Sequence, residues 1–214
     1  MSSTEEILER IRASSRPVAR KQKKEWVRPT PDDFDSGSVL AFDPSLTNTG
    51  WVMLVRPLPL ASKVVALFTG VCSPPPTDLG SDAMTLWRAH QIGLLIHQVV
   101  GDYGVGRVSA IAHEMPTTSG QRMESSLMAS REVQRAALTL CPDIPLSPVY
   151  VRHIHATLLP PEQRGKAHTK AHTKEAVLRY VDISMLPAGS KLNEHVYDGM
   201  SVGLTHLYDQ KRAS

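Results

Sequence analysis

The chain has 214 residues, 41% of them hydrophobic, and a formal net charge of +3 with an isoelectric point near 8.9. That length fits one compact domain with a tail and excludes a second full-sized domain, while the hydrophobic share suffices for a real core. The mild basicity permits a polyanionic partner without demanding one, and Cys72 and Cys141, far apart and in no CxxC pair, point away from a disulfide framework or zinc ribbon.

A reducing, cytoplasmic setting is the simplest expectation. The start Met1-Ser-Ser-Thr-Glu-Glu-Ile-Leu-Glu9 lacks a basic region followed by an apolar one, and no run approaches the roughly 20 apolar residues of a membrane span, so a soluble protein without membrane contact is expected. Residues 1–36 read as a basic, mobile arm and residues 37–214 as the domain. In the arm, Ser3-Thr-Glu-Glu6 and the stripe Ile7, Leu8 and Ile11 predict one short helix. Arg16, Arg20, Lys21, Lys23, Lys24 and Arg28 then sit among few apolar residues, and Pro29, Pro31, Asp32, Asp33 and Asp35 close a linker. Solvated charge explains such a tail; beside a nucleic-acid-binding domain it would add nonspecific phosphate contacts.

From residue 38 the pattern turns to short β-rich runs. Ser38–Phe42, Gly50–Val55 and Lys63–Gly70 predict three strands in an antiparallel meander. Residues 82–103 predict a long helix, 107–112 a strand, 121–140 a second helix and 146–151 a fifth strand. Pro160 and Pro161 leave 153–165 undecided, and 169–181 and 193–208 predict two further helices. The fold class is α/β, a mixed five-stranded sheet with helices on its faces.

Chemistry-bearing residues fall at the ends of these elements. Asp43 ends the first strand, before a Pro44-Ser45 turn that returns through Gly50, and Glu114 ends the fourth. His195 and Asp198, three apart at the start of the last helix, can reach one ion, as can Glu194 and Asp198, four apart. Turn capping accounts for any one of these; together they suggest a divalent-metal site built from Asp43, Glu114, His195 and Asp198. On the same helix Val196, Met200, Gly203 and Leu207 form an inward stripe, and Gly199 and Gly203, each costing roughly 1 kcal/mol against alanine, imply close packing. The repeat Lys166-Ala-His-Thr, Lys170-Ala-His-Thr, Lys174 puts lysines on one helical ridge, extended by Arg164 and Arg179. Phosphate contact suits that ridge better than a zinc pair of His168 and His172, for which no completing ligand is evident.

Four segments in this order resemble the RuvC-type Holliday junction resolvases of the RNase H-like superfamily: Leu40-Ala-Phe-Asp-Pro-Ser-Leu-Thr-Asn-Thr-Gly50, Ile111-Ala-His-Glu114, Lys174-Glu-Ala-Val177 and His195-Val-Tyr-Asp-Gly-Met200. The likeness spans 38 to about 208, and the long arm suggests a divergent, bacteriophage-type member, acting in the host cytoplasm. The resemblance implies an RNase H-like sheet, a homodimer, and a nuclease that nicks four-way or other branched DNA symmetrically. It matches Asp43 to the first-strand metal ligand, Glu114 to the fourth-strand carboxylate and Asp198 to the last acidic ligand. His195 stands where many members carry aspartate, with Glu194 as the substitute. Lys174 looks like the lysine near the scissile phosphate, supported by Lys170, and Arg164, Lys166, Lys170 and Lys174 become the DNA contacts. Two Mg²⁺ ions on oxygen ligands would serve in-line attack, leaving 5′-phosphate and 3′-hydroxyl ends, and an imidazole ligand would favour Mn²⁺ as a substitute. After Glu114 the family's usual aromatic is replaced by Met115-Pro-Thr-Thr-Ser-Gly-Gln-Arg122, so base stacking there is not expected. Two other readings compete: a noncatalytic branched-DNA-binding protein of the same fold, and an actin-like or sugar-kinase-like ATPase, whose first phosphate loop Asp43–Gly50 also resembles but whose two-domain cleft exceeds this length.

Overall fold

A computed structural model describes residues 26–30, 33–34, 37–56, 63–77, 81–116, 123–164 and 169–213. The expected first helix, the basic run 16–24, Lys166 and His168 lie outside these residues.

Three strands, β1 (Gly37–Asp43), β2 (Thr49–Arg56) and β3 (Val64–Cys72), form the antiparallel meander that their alternation predicts. β4 (Ala110–Met115) lies parallel to β1 on its other side, with Val39 opposite Ala110 and Phe42 opposite His113. β5 (Leu146–Tyr150) runs parallel to β4. Among the described residues the sheet has six strands, in the order β5-β4-β1-β2-β3-β6, and so exceeds the five expected. The added strand is β6 (Val181–Asp182), which pairs parallel with Val64 and Val65. Two residues are too few to show a period-two pattern, and Val181 read as the end of the preceding helix. β4 also ends later than its apolar run, because pairing with β5 carries it through Glu114 and Met115.

Among the described residues five helices flank the sheet: α1 (Ser81–Val99), prolonged by a π-helical turn Val100–Gly104, α2 (Met123–Leu140), α3 (Val151–Leu158), α4 (Thr169–Tyr180) and α5 (Glu194–Ala213). The undecided stretch 153–165 thus holds most of α3, then a 3₁₀ turn Pro161–Gln163 after the two prolines. Strand alternation sorts the core into two layers. Leu40, Phe42, Met53 and Ile111 face α1 and α2, meeting Ile92, Ile96 and Val133. Val39, Ala41, Val52, Ala110 and Ala112 face the other way, with Ile154, Val177, Met200 and Leu204 of α3, α4 and α5. Among the described residues no helix is long and apolar enough to cross a membrane.

α5 lies directly on this second face. A Cβ at Gly203 would stand 2.7 Å from Leu54 Cδ1 and 3.1 Å from Ala41 Cβ, and one at Gly50 of β2 would run into the His195 carbonyl. Gly199 is less tight, its nearest neighbours being the Gly50 and Ala41 carbonyl oxygens at 3.6 and 3.7 Å. The close packing expected of the helical glycines is therefore present, sharpest at Gly203.

The core also takes in part of the stretch read as an arm. Phe34 is completely buried, its ring 5.2 Å from Tyr180 and 6.0 Å from Tyr208, and Trp26 Nε1 donates to the Ala156 carbonyl at 3.1 Å. A single aromatic among prolines and aspartates gave no periodic signal for this packing.

Candidate metal and catalytic site

The alternation that builds the core also aims the carboxylates. Asp43 follows Val39 and Ala41 in phase, and Glu114 follows Ala110 and Ala112, so both point toward α5 at the carboxyl ends of two adjacent parallel strands. The turn after Asp43 is closed on itself: Thr49 Oγ1 donates to the Ser45 carbonyl at 2.8 Å and accepts from the Ser45 N–H at 3.0 Å. A short tether of this kind holds Asp43 against the sheet.

Glu114 is fixed from the opposite face. Its backbone carbonyl accepts Ser130 Oγ of α2 at 3.0 Å and faces His113 Nδ1 at 3.3 Å, while His113 Nε2 lies 3.5 Å from Gln134 Nε2. The amide nitrogen of Gln134 can only donate, so Nε2 of the imidazole accepts and Nδ1 carries the proton toward Glu114. Burial holds His113 below its ordinary pKa, against the hydrogen bond to the Glu114 carbonyl.

α5 brings the remaining groups. Asn193 Oδ1 accepts the Val196 N–H at 3.1 Å as the helix cap, which sets Glu194, His195 and Asp198 in the first two turns. His195 Nδ1 lies 3.3 Å from Asp43 Oδ2. From α4, Lys170 Nζ reaches Glu194 Oε2 at 3.0 Å and Asp198 Oδ2 at 3.8 Å.

The electrostatics describe one crowded negative site. Burial, then the charges of Asp43 and Asp198, push the Glu114 carboxyl up to about 8, against the pull of Lys170. Burial and Asp43 raise Asp198 to about 6, with Lys170 and His195 opposing. The hydrogen bond to Asp43 raises His195 despite desolvation, and the bond to Glu194 raises Lys170. Glu194 is held below its usual range by Lys170. Glu114 and Asp198, both raised, make with Asp43 an oxygen-rich donor set suited in charge and type to a hard divalent cation. Among the described residues, no three or more His, Cys, Asp or Glu side chains already form a ready set around one point. Instead, Asp43 is engaged by His195, and Asp198 and Glu194 by Lys170. The residues thus fit such an ion in kind and charge, in an arrangement closed by His195 and Lys170.

Compared with solved structures, the chain superposes on RuvC of Thermus thermophilus at a TM-score of 0.62, over 82% of this chain and 96% of that one. The chain has the RuvC fold. Identity with that structure is 18%. RuvC of the same organism in complex with a Holliday junction substrate matches at a TM-score of 0.60 and 16% identity, with the same coverage. The yeast mitochondrial Holliday junction resolvase Ydc2 matches at 0.51 and 11%, over 84% of each chain. No protein-family model and no curated protein sequence matches the chain. At these identities the likeness establishes the architecture alone.

Within the RuvC fold, His195 lies against Asp43, Lys170 spans Glu194 and Asp198, and the charges of Asp43 and Asp198 bear on Glu114. The lysines divide differently. Lys170 stands among the carboxylates, whereas the Lys174 ammonium lies 4.7 Å from the centre of the Tyr197 ring. Arg164 donates to the Leu159 and Ala156 carbonyls at 2.9 and 3.1 Å, satisfying the last turn of α3. Ser130 and Gln134 were missed by sequence reasoning, since ordinary polar residues in a helix carry no local sign of supporting a strand end.

Proposed function

We propose that the chain is a divalent-metal-dependent endodeoxyribonuclease that resolves four-way DNA junctions by paired symmetric nicks. The observation that carries this reading is the convergence of Asp43, Glu114 and Asp198 at the ends of β1 and β4 and the start of α5, charged so that Glu114 keeps its proton near neutrality. The likeness to RuvC, including its complex with a Holliday junction substrate, supports the choice of substrate class.

Asp43, Glu114 and Asp198, with His195, would hold one or two Mg²⁺ ions, with Mn²⁺ as a substitute. Bound there, the cation supplies Lewis-acid activation of water and of the phosphate. The chain's own residues prepare for this. Glu114, protonated near neutrality, would give up that proton to serve as a ligand. His195, held by Asp43, keeps an imidazole beside the reacting region. Lys170, with 70% of its side chain exposed, is free to trade its carboxylate partners for a phosphate oxygen.

Two coordinated cuts require two sites related by a twofold axis. The exposed Leu86 and Leu94 of α1 and Leu138 of α2, on the helical layer away from the carboxylates, are the proposed dimer surface. The test is incubation with labelled four-way, three-way, flap and linear DNA in Mg²⁺ or Mn²⁺. Paired nicks confined to the four-way junction, lost in Asp43→Asn with binding in Ca²⁺ retained, are expected. Cutting of every branched substrate would make the chain a general debranching nuclease, and binding without cutting in any metal would overturn the nuclease reading.

A further inference from the structure

Beside the carboxylates a cavity of about 660 Å³ opens between the end of β3 and the loop entering α5. Glu194 and His195 form its near wall, so it begins where the metal site ends; Gly189, Ser190 and Lys191 border its far side. Its volume is in the range of small-ligand pockets, roughly 300–1,000 Å³, which suits a single nucleotide and not a duplex.

Its lining carries both hydrogen-bond acceptors and donors. Thr69 Oγ1 donates to the Trp51 carbonyl at 2.9 Å, Ser190 Oγ to the Pro187 carbonyl at 2.8 Å and Ser73 Oγ to Asn48 Oδ1 at 2.7 Å. Each hydroxyl has therefore committed its proton to the protein and offers lone pairs to a ligand. Asn48, with its oxygen taken by Ser73, offers the two N–H groups of its amide. Among the described residues of the lining, Lys191 is the one lysine or arginine. The three hydroxyl acceptors and the Glu194 carboxylate suit a phosphate poorly, whereas the edge of a nucleobase, carrying both donors and acceptors, would find complements in them and in the amide N–H groups of Asn48 and Asn193. Gly189, at φ +85° with nothing within 4 Å of an added Cβ, keeps the far rim open.

We infer that this cleft receives the unstacked base of the nucleotide adjoining the scissile phosphate, and so sets which bases are favoured at the cut. The inference rests on the nuclease reading, from which the cleft takes its place beside the reacting phosphate. An extruded base loses its stacking partners, and the polar lining compensates with edge-specific hydrogen bonds.

Four-way junctions carrying each of the four bases on either side of the cut are cleaved by the wild type, Asn48→Ala and Thr69→Val, with melting curves to confirm folding. In parallel, 2-aminopurine replaces the adjoining base in a junction bound in Ca²⁺, where its fluorescence reports unstacking without cleavage. The ratio of kcat/KM between best and worst base is expected to fall about tenfold in either variant, and the 2-aminopurine signal, bright with wild type, to drop. A uniform loss of rate with the ratio unchanged would mean that the cleft contacts backbone only and would overturn the inference, as would a 2-aminopurine signal unaffected in both variants. If the wild type cuts no DNA the nuclease reading fails by itself, and 2-aminopurine that brightens only with an intact cleft still supports base capture.

Discussion

Glu114 shows how one residue links stability to function. Its pKa, raised from 4.5 to about 8, lies above the unfolded value, so its contribution to stability is complete below pH 4.5 and is lost as pH rises through about 8. Asp198, raised from 3.8 to about 6, acts in the same direction at lower pH. The metal-free protein should therefore weaken between pH 5 and pH 8. Glu114→Gln, neutral throughout, should be more stable than wild type at pH 8 by on the order of 2 kcal/mol, differ little at pH 4, and have no Mg²⁺-dependent cleavage. Denaturant melts at both pH values check this; equal stability at pH 8 would mean that Glu114 ionises freely. The lysines give a second prediction. Lys170 touches Glu194 and Asp198 while Lys174 rests on Tyr197, so Lys170→Ala should lower kcat on junctions by about 100-fold and Lys174→Ala far less. Single-turnover rates decide it, and equal losses would return Lys174 to the chemistry. The sequence could not separate these two: four residues apart, they share one ridge, and only the seating of α4 against α5 selects between them. Asp43 and Glu114 were legible because a strand end and a two-residue period aim a side chain without any tertiary detail.

At the scale of elements, the site depends on how closely α5 approaches the sheet. Gly50 and Gly203 remove the side chains that would lift the helix, and the Asn193 cap fixes where it begins. The contact at Gly50 is to the backbone of His195, which cannot rotate away as a side chain might. Gly50→Ala should therefore displace the first turn of α5, costing about 1–3 kcal/mol of stability and lowering cleavage more than junction binding. Urea unfolding with nicking and binding assays tests this; unaltered cleavage would show that the first turn has slack. The helical glycines announced this packing in the sequence by their cost in a helix. β6 and the true end of β4 did not, because each exists through pairing with a distant strand and neither has a period of its own to read.

For the molecule as a whole, the two faces of the sheet divide the work. The α5 face carries the carboxylates, and its core is closed by Phe34 against Tyr180 and Tyr208. The opposite layer presents Leu86 at 68%, Leu94 at 53% and Leu138 at 66% exposure, apolar side chains that a lone protomer leaves in water. A twofold pairing through that layer would turn two α5 faces outward, each toward one strand of a junction, without burying either site. Leu86→Glu with Leu94→Glu places charge in the proposed interface while leaving the layers beneath, built on Ile92 and Ile96, untouched. The double variant should sediment as a monomer and retain its melting behaviour at a concentration where the wild type is dimeric. On a four-way junction it should nick one strand, and the second nick should become independent of the first, so that nicked junctions accumulate before resolved duplexes. A cruciform plasmid makes the distinction directly, since paired cuts within one binding event linearise it and separated cuts release it as an open circle. A wild type that sediments as a monomer yet linearises the plasmid would place the coupling of the two cuts on the DNA and remove the need for this surface.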